Sequence, residues 1–249
     1  MGIFYREKNR LVWKMNGEKL VIEPWGRNSL RVRSRMMGEI IDTDYGLLPA
    51  EETDSRIEIY EHEASVTNGK IRAVIKEEGW SGNCQISYYN YKGDLLLRER
   101  GQNGALNLTP RKFRPIIGGD FRLTVTFESN ENEKLYGMGQ YQQEFLNIKN
   151  CSFELAHRNS QVSIPFVLSS LGYGFLWHNP AIGRATFAKN ITEWYAESTK
   201  QMDYWITAGD TPAEIVEAFA EVTGKVPMMP EYGLGFWQSK LRYYSQEQL

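Results

Sequence analysis

Apolar and polar side chains alternate with a period of two over much of this 249-residue sequence. The alternation is clear in SLRVRSR (29–35) and in RIEIYEHE (56–63), and it is typical of strands with one buried and one exposed face. In ASVTNGKIRAVI (64–75), Asn68 and Gly69 separate two such runs. An Asn-Gly pair tolerates the positive φ angles of a tight turn, so this segment predicts a β-hairpin.

Further strand-like runs follow along the chain. Residues 85–99, QISYYNYKGDLLLRE, predict a second hairpin that turns at Lys92, Gly93 and Asp94. Other runs of this kind lie at 121–129, 162–170, 173–179 and 201–209. Frequent strands without intervening helices favour antiparallel pairing. The sequence therefore predicts a mainly β protein built as an antiparallel β-sandwich.

One segment changes to a helical period. In GDTPAEIVEAFAEVTGK (209–225), the apolar residues recur at helical spacing. Thr211 is a suitable N-cap, Pro212 fits the first helical position, and Glu214 stands where a capping box needs it. Gly224 suits a C-terminal stop. We therefore expect a single C-terminal helix after the strand-rich region.

After a proline-containing linker at 226–232, the sequence predicts the start of a unit in which a strand is followed by a helix. EYGLGFWQSK (231–240) runs from glycine through aromatic residues to polar ones, and predicts a strand at 233–238. Ser245 and Gln248 are spaced as in a capping box, so a second helix is expected to begin there. A single strand of this kind has no partner, and we therefore expect these residues to be the front part of a longer protein.

Composition argues against several classes of function. The sequence has 29 Lys and Arg residues and 31 Asp and Glu residues, a formal net charge of -2, and no basic stripe that would indicate nucleic acid. No apolar run reaches the roughly 18 residues of a membrane span, and the N-terminus lacks the apolar core of a signal peptide. Cys84 and Cys151 are interpreted as buried thiols. These features predict a cytoplasmic protein.

Five stretches carry motifs that are specific in combination. They are GEKLVIEPWGRNSLRVR (17–33), EKLYGMGQ (133–140), IPFVLSSLGYGFLWHNP (164–180), DYWITAGDTPAEIVEAFAEVTGKVPMMP (203–230) and PEYGLGFWQSKLRYYSQEQL (230–249). In this order, and spread over nearly the whole chain, they resemble glycoside hydrolase family 31. The last two are similar to the helix and proline linker before the family's barrel, and to its first barrel strand.

The resemblance implies a two-part architecture. Residues 1–226 would form an N-terminal β-sandwich of the galactose-mutarotase-like kind, and residues 227–249 a linker and the start of a (β/α)8 barrel. The family mostly hydrolyses terminal α-glucosides or α-xylosides with retention, and its enzymes are cofactor-independent. Its nucleophile and general acid are two aspartates on later barrel strands, so we assign no catalytic residue and no metal ligand within this sequence.

The resemblance also suggests residues that bind substrate at the barrel. Because a barrel carries its active site at the C-terminal ends of its strands, Trp237 and Gln238 are expected to line the sugar pocket. Ser239, Lys240 and Arg242 follow in the first loop and are expected to bound it. For Trp237, filling the barrel core is an equally good interpretation.

A long segment rich in Gln and Asn, residues 140–161, is the other candidate. In the family, a loop from this region shapes the leaving-group side of the pocket, and long polar loops on a rigid sandwich are often functional. For each residue, plain solvent exposure is the alternative. The candidate sugar contacts are Gln140, Gln142, Asn147, Asn150 and Asn159.

Independent catalysis by these residues has little support. His62, His157 and His178 lie in charged, loop-like or turn contexts, and no carboxylate pair stands out. A stand-alone carbohydrate-binding module and a mutarotase-like epimerase stay open as alternatives. GFWQSKLRY (235–243) favours α-xylosidase-like over α-glucosidase-like members of the family.

The expected partners are an α-linked oligosaccharide or glycoside and the barrel domain of the same polypeptide. We expect no nucleic acid and no membrane as partners, and a homo-oligomer stays open. These residues alone are expected to be inactive and to expose an apolar surface on which the barrel packs.

Overall fold

The computed structural model describes residues 2–49, 53–78, 83–101, 108–237 and 242–248. The described residues form eighteen β-strands, one α-helix and two short 3-10 helices. The elements are β1 (Ile3–Glu7), β2 (Arg10–Met15), β3 (Glu18–Pro24), β4 (Ser29–Met36), β5 (Ser55–Ile59), β6 (Glu63–Asn68), β7 (Ile71–Glu78), β8 (Asn83–Asn90), β9 (Leu95–Arg98), β10 (Arg111–Pro115), β11 (Phe121–Glu128), β12 (Leu135–Gln140), β13 (Ser152–Leu155), β14 (Val162–Ser169), β15 (Tyr173–Trp177), β16 (Gly183–Phe187), β17 (Ile191–Thr199), β18 (Met202–Ala208), α1 (Pro212–Thr223) and the 3-10 helices Glu231–Leu234 and Gln246–Gln248.

The strands form three antiparallel sheets. The largest has the order β1-β2-β3-β4-β18-β15-β14-β12, and the two smaller ones have the orders β10-β11-β17-β16-β13 and β5-β6-β7-β8-β9. One core cluster joins buried side chains of all three sheets, so the large sheet packs one face against both smaller sheets. This arrangement confirms the predicted antiparallel β-sandwich. Both cysteines are free thiols, with Cys84 buried and Cys151 partly buried.

The central strands of the large sheet are buried on both faces. On β18, Tyr204 and Ile206 enter the core between the sheets, whereas Trp205 joins a second apolar cluster on the opposite face. The period-two alternation therefore separates two buried environments here rather than core from solvent. Trp177 and Trp194 stack in the inner core with their ring centroids 5.9 Å apart, as expected for packing residues.

The helix α1 covers part of this outer face. Ile215 and Val222 are buried against the sheet, and Phe219 stacks on Phe166 at a centroid distance of 4.2 Å. The predicted N-cap is confirmed, because the Thr211 hydroxyl accepts a hydrogen bond from the Glu214 amide at 3.3 Å. The Glu214 side chain accepts from the amide of Asp210 at 3.0 Å rather than from that of Thr211. With 12 residues, α1 is the longest helix in the described part of the chain, and no helix there could span a bilayer.

Both predicted hairpins form, but the first turns one residue later than its sequence indicates. Asn68 pairs with Ile71, so the turn residues are Gly69, with a φ of 56°, and Lys70. The Asn68 amide points inward and donates to the carbonyl oxygens of Gly26 and Ser29 at 2.8 and 2.7 Å. These two tertiary hydrogen bonds hold Asn68 in the strand.

The prediction of a strand at 233–238 is wrong for residues 233–237, which are the part of this range that the structure describes. Residues Glu231–Leu234 form a 3-10 helix, and 235–237 belong to no strand. A strand needs the backbone groups of a neighbour, and no described strand pairs with this segment. Its amides bond locally instead, from Gly233 to Pro230 O at 2.9 Å and from Gly235 to Tyr232 O at 3.3 Å. Where a second helix was expected to begin, Gln246–Gln248 form a short 3-10 turn, and the helix itself stays a prediction.

Replacing the N-cap of α1 should destabilise the fold. Thr211→Ala removes the acceptor for the Glu214 amide and should lower the free energy of unfolding by about 1 kcal/mol. Thr211→Ser keeps the hydroxyl and serves as the control, with little change expected. Urea unfolding followed by tryptophan fluorescence measures both variants. Equal stability of the alanine variant and the parent would contradict the cap.

Candidate functional site

The largest cavity described lies on the outer side of the large sheet, at the end of β15. Its volume is about 600 Å³. Four segments enclose it: the irregular segment 39–49, which we call the strap, the residues around 155–165, the turn at 178–182 and the last turns of α1. A second cavity of about 320 Å³ adjoins it and shares Tyr45, His178 and Asn179. The strap therefore forms a common wall of both cavities.

His178 connects the sheet to the strap. It follows β15 directly, and only 5% of its surface is exposed. The amide of Gly46 in the strap donates a hydrogen bond to its Nε2 atom at 3.1 Å. The Nδ1 atom lies 3.2 Å from Asp203 Oδ2, without the alignment of a hydrogen bond. The sequence placed His178 in a turn context but did not indicate that its side chain is buried. Since Nε2 accepts, the proton of the neutral imidazole is on Nδ1, next to Asp203.

Asp203 is held by a buried arginine. The Arg31 guanidinium donates from Nε to Oδ1 at 3.0 Å and from Nη2 to Oδ2 at 2.7 Å, and both side chains are almost fully buried. Arg31 also reaches the strap, bonding Asp44 Oδ1 at 2.6 Å and Thr43 O at 3.0 Å. Burial alone lowers the pKa of Arg31, but Asp203 and Asp44 outweigh it and raise that pKa above its ordinary value. The guanidinium therefore stays charged.

Arg33 repeats this pattern two residues along β4. It donates to Asp42 Oδ1 at 2.7 Å and pairs with the buried Glu23, which also binds Arg10 at 2.7 Å. Burial raises the pKa of Asp42, but the hydrogen bond and charge of Arg33, with further charges from Arg10 and Arg31, outweigh burial and lower it.

Neutral contacts fix both ends of the strap. The side-chain amide of Gln201 exchanges hydrogen bonds with the Ile41 backbone at 2.9 and 3.0 Å. Near the other end, Leu48 N donates to Val222 O at 2.7 Å, and Trp25 Nε1 donates to Leu48 O at 3.1 Å. Tyr45, in contrast, is 61% exposed at the cavity mouth. The strap is therefore an anchored segment that presents one aromatic ring.

The described lining of the cavity lacks the carboxyl groups that acid–base hydrolysis needs. Its polar groups include the imidazole of His157, which accepts from the Ser163 amide at 3.3 Å, and the hydroxyls of Ser163 and Tyr45. No Asp or Glu lines the cavity among the described residues. Retaining glycoside hydrolysis needs two carboxyl groups about 5–5.5 Å apart, so this cavity does not supply that chemistry.

Comparisons with known proteins identify the family, although no protein-family model matches the chain. A Pseudescherichia vulneris protein named "Uncharacterized family 31 glucosidase ORF2" is 46% identical over 266 residues, which cover 100% of this chain and 49% of that protein. Alpha-xylosidase A of Aspergillus niger is 30% identical over 93% of this chain and 34% of its own length. The crystal structure of a family 31 α-xylosidase from a soil metagenome, complexed with xylose, matches with a TM-score of 0.92 and 48% identity, over 99% of this chain and 38% of that chain.

The chain belongs to glycoside hydrolase family 31. It spans about half, or less, of the length of the family members that it matches. The resemblance seen in its motifs is thereby confirmed. The two-part division at residue 226 is a proposal that these matches leave untested.

The substrate-binding residues predicted for this family 31 chain do not line the large cavity. Gln140, Gln142 and Asn147 are exposed. The Asn147 Oδ1 atom accepts hydrogen bonds from the amides of Leu135 and Lys149 at 3.0 and 3.2 Å. This oxygen therefore stabilises a turn. These assignments stay predictions.

The candidates near the C-terminus are also separate from the cavity. Trp237 is exposed, and its indole donates to Gly233 O at 3.1 Å. Arg242 is exposed and approaches the Tyr244 hydroxyl at 3.4 Å. Gln238, Ser239 and Lys240 lie outside the described residues. Their roles at a barrel pocket stay predictions.

Sequence reasoning missed the residues that organise the cavity in this family 31 chain. Arg31 and Arg33 are polar residues in a strand whose neighbours Leu30 and Val32 are fully buried. The acidic run IDTDYG (41–46) follows soon after. Two arginines on one face of a strand, followed by two aspartates nearby in the sequence, could have predicted a loop that ion pairs hold against that strand.

Breaking the Arg31–Asp203 pair should cost much more stability than removing a partly exposed arginine. Arg31→Gln leaves Asp203 and Asp44 without their partner and should lower the free energy of unfolding by about 3–5 kcal/mol. Arg35→Gln, on the same strand, is the control and should cost less than about 1 kcal/mol. Urea unfolding measures both. Equal losses would show that the buried pair has no special role.

The Asp42 carboxylate should add an acid-sensitive contribution to stability. Its pKa in the folded protein lies below the ordinary value of 3.8, so its contribution is present above 3.8 and is lost as the pH falls through the lower folded value. Asp42→Asn should therefore lower the free energy of unfolding at neutral pH. Below about pH 4, the free energy of unfolding of this variant should fall less steeply than that of the parent. Asp54→Asn, at an exposed position, is the control. Unfolding series from pH 7 to pH 2 compare them, and parallel curves would contradict the assignment.

Proposed function

We propose that the protein is a retaining, exo-acting α-glycosidase that hydrolyses terminal α-linked sugars, with an α-xyloside as substrate. The observation that carries the proposal is the match to the soil-metagenome α-xylosidase complexed with xylose, at 48% identity over 99% of this chain. Identity of this degree over the whole chain supports a common architecture. The stretch GFWQSKLRY (235–243) also favours an α-xyloside over an α-glucoside as the substrate.

In this proposal, residues 1–226 are the sandwich domain and residues 227–249 lead into a catalytic (β/α)8 barrel. The barrel supplies both aspartates, one as the nucleophile and one as the general acid. The absence of acidic residues from the lining of the described cavity agrees with a supporting role for this chain. Hydrolysis by residues 1–249 alone is not expected.

Exposed apolar side chains support the packing of a barrel on this chain. Seven large apolar residues between 226 and 237 face solvent: Val226, Met228, Met229, Tyr232, Leu234, Phe236 and Trp237. Apolar side chains in such number are unusual on a surface that has no partner. In this proposal, these side chains belong to the linker and the start of the barrel, and the rest of the barrel of the same polypeptide covers them.

The sandwich is also proposed to shape the leaving-group side of the sugar pocket. The segment 140–161 contributes Gln140, Gln142 and Asn147 as polar contacts, while Trp237 and Arg242 bound the pocket with Gln238, Ser239 and Lys240. An aromatic ring packs on the apolar face of a pyranose, and amide groups bond its hydroxyls. The substrate is an α-linked oligosaccharide or glycoside.

A stand-alone carbohydrate-binding module is the second candidate. The observation that favours it is the cavity of about 600 Å³ with an exposed Tyr45 at its mouth and no acidic lining residue. It predicts saturable sugar binding without turnover by any form of the protein.

Hydrolysis of matched chromogenic substrates tests the proposal. The whole protein should release nitrophenol from 4-nitrophenyl α-xyloside faster than from the α-glucoside, because the pocket is proposed to fit a pentose. Proton NMR of the first product should show the α-anomer, and residues 1–249 alone should release nothing.

Each part of the proposal has its own contrary outcome. A preference for the glucoside would overturn xylose as the substrate, and a β-anomeric first product would overturn retention. Turnover by residues 1–249 alone would overturn the supporting role. Sugar binding without turnover of either substrate would favour the binding module.

A further inference from the structure

A separate groove lies on the outer face of the sheet β5–β9. Its volume is about 500 Å³, within the range of small-ligand sites. It shares no lining residue with the cavity beside the strap. The residues proposed above to bind substrate do not line this groove.

The register of three strands explains the shape of the groove. Ser65, Val74 and Ser87 are direct cross-strand neighbours and form a row of short side chains. Longer side chains occupy the parallel rows on either side. One such row is Thr67, Arg72 and Tyr89, and the other is Glu63, Lys76 and Gln85. A short row between two long ones leaves a trough that crosses the strands.

Polar and charged side chains line the groove. Val74 of the short row lies among them, and Glu63, Thr67, Arg72 and Lys76 supply the polar groups. Such a lining favours a polar ligand over an apolar one.

One charged side chain of the groove lining has no partner of opposite charge. The other two charged residues of the lining, Glu63 and Lys76, form an ion pair at 2.8 Å. Arg72 is exposed and has no ion pair or hydrogen bond to any described residue. Its direct cross-strand neighbours are the hydroxyl of Thr67 and the aromatic ring of Tyr89.

We propose that this groove binds a carbohydrate residue that carries a carboxylate, a uronic acid. The Arg72 guanidinium binds the carboxylate through two parallel hydrogen bonds, which match its planar fork. The ring of Tyr89 packs on the apolar face of the pyranose, and Thr67 bonds a ring hydroxyl. The site is independent of the hydrolase proposal, because it uses none of the same residues.

The combination of groups selects this ligand over simpler ones. A neutral sugar offers Arg72 no opposite charge, and so it forms no charge-assisted pair of hydrogen bonds with the guanidinium. A small carboxylate such as acetate pairs with Arg72 but gains nothing from Tyr89 or from the trough. Only a ligand with both a ring and a carboxylate uses the whole groove.

Calorimetric titration of the protein with three probes tests the proposal. Glucuronate should bind saturably, at least about ten-fold more tightly than either glucose or acetate. Equal affinity for glucose and glucuronate would overturn the role of the carboxylate. Equal affinity for acetate and glucuronate would overturn the role of the ring, and no binding of glucuronate would overturn the site.

Variants of single residues locate the binding. Arg72→Gln should weaken glucuronate binding by at least about ten-fold, and Tyr89→Leu should weaken it while acetate binding stays unchanged. Arg114→Gln, at an exposed position on β10, is the matched control and should bind as the parent does. Circular dichroism verifies that each variant is folded. Unchanged binding by folded Arg72→Gln would overturn the assignment to this groove.

Discussion

The bidentate pair between Arg31 and Asp203 is the interaction on which the outer side of the large sheet depends. Both groups belong to central strands, and neither reaches solvent. Burying two charges is costly unless their geometry is good and their remaining hydrogen bonds are satisfied. Arg31 meets this condition by also bonding Asp44 and the Thr43 carbonyl. The pair therefore couples the strands β4 and β18 to the strap.

This coupling explains how a sandwich face becomes a site. The inner residues of β4 and β18 form the core with the two smaller sheets. The outer residues hold α1 on one part of the face and the strap on another. The space left between these two covers is the cavity that Tyr45 borders.

The two outer faces of the sandwich have different chemistry. The face of the large sheet has its charges buried and paired, and a mostly apolar cavity remains. The face of the sheet β5–β9 keeps its charges near solvent, where Glu63 pairs with Lys76 and Arg72 has no ion pair with any described residue.

Local sequence patterns determined much of this protein. The period-two runs predicted the strands, Gly93 predicted one turn, and Thr211 with Pro212 predicted the start of α1, because each of these signals acts over a few residues. The motif order also identified family 31.

Tertiary structure alone decided the remaining features. It placed the turn after Asn68, whose amide bonds residues far along the chain, and it paired Arg31 with Asp203, 172 positions away. It also left 231–234 as a 3-10 helix, since a strand forms only beside a neighbour. Partners so distant in sequence leave no local pattern, and therefore only the assembled sheets could reveal the cavity and the groove.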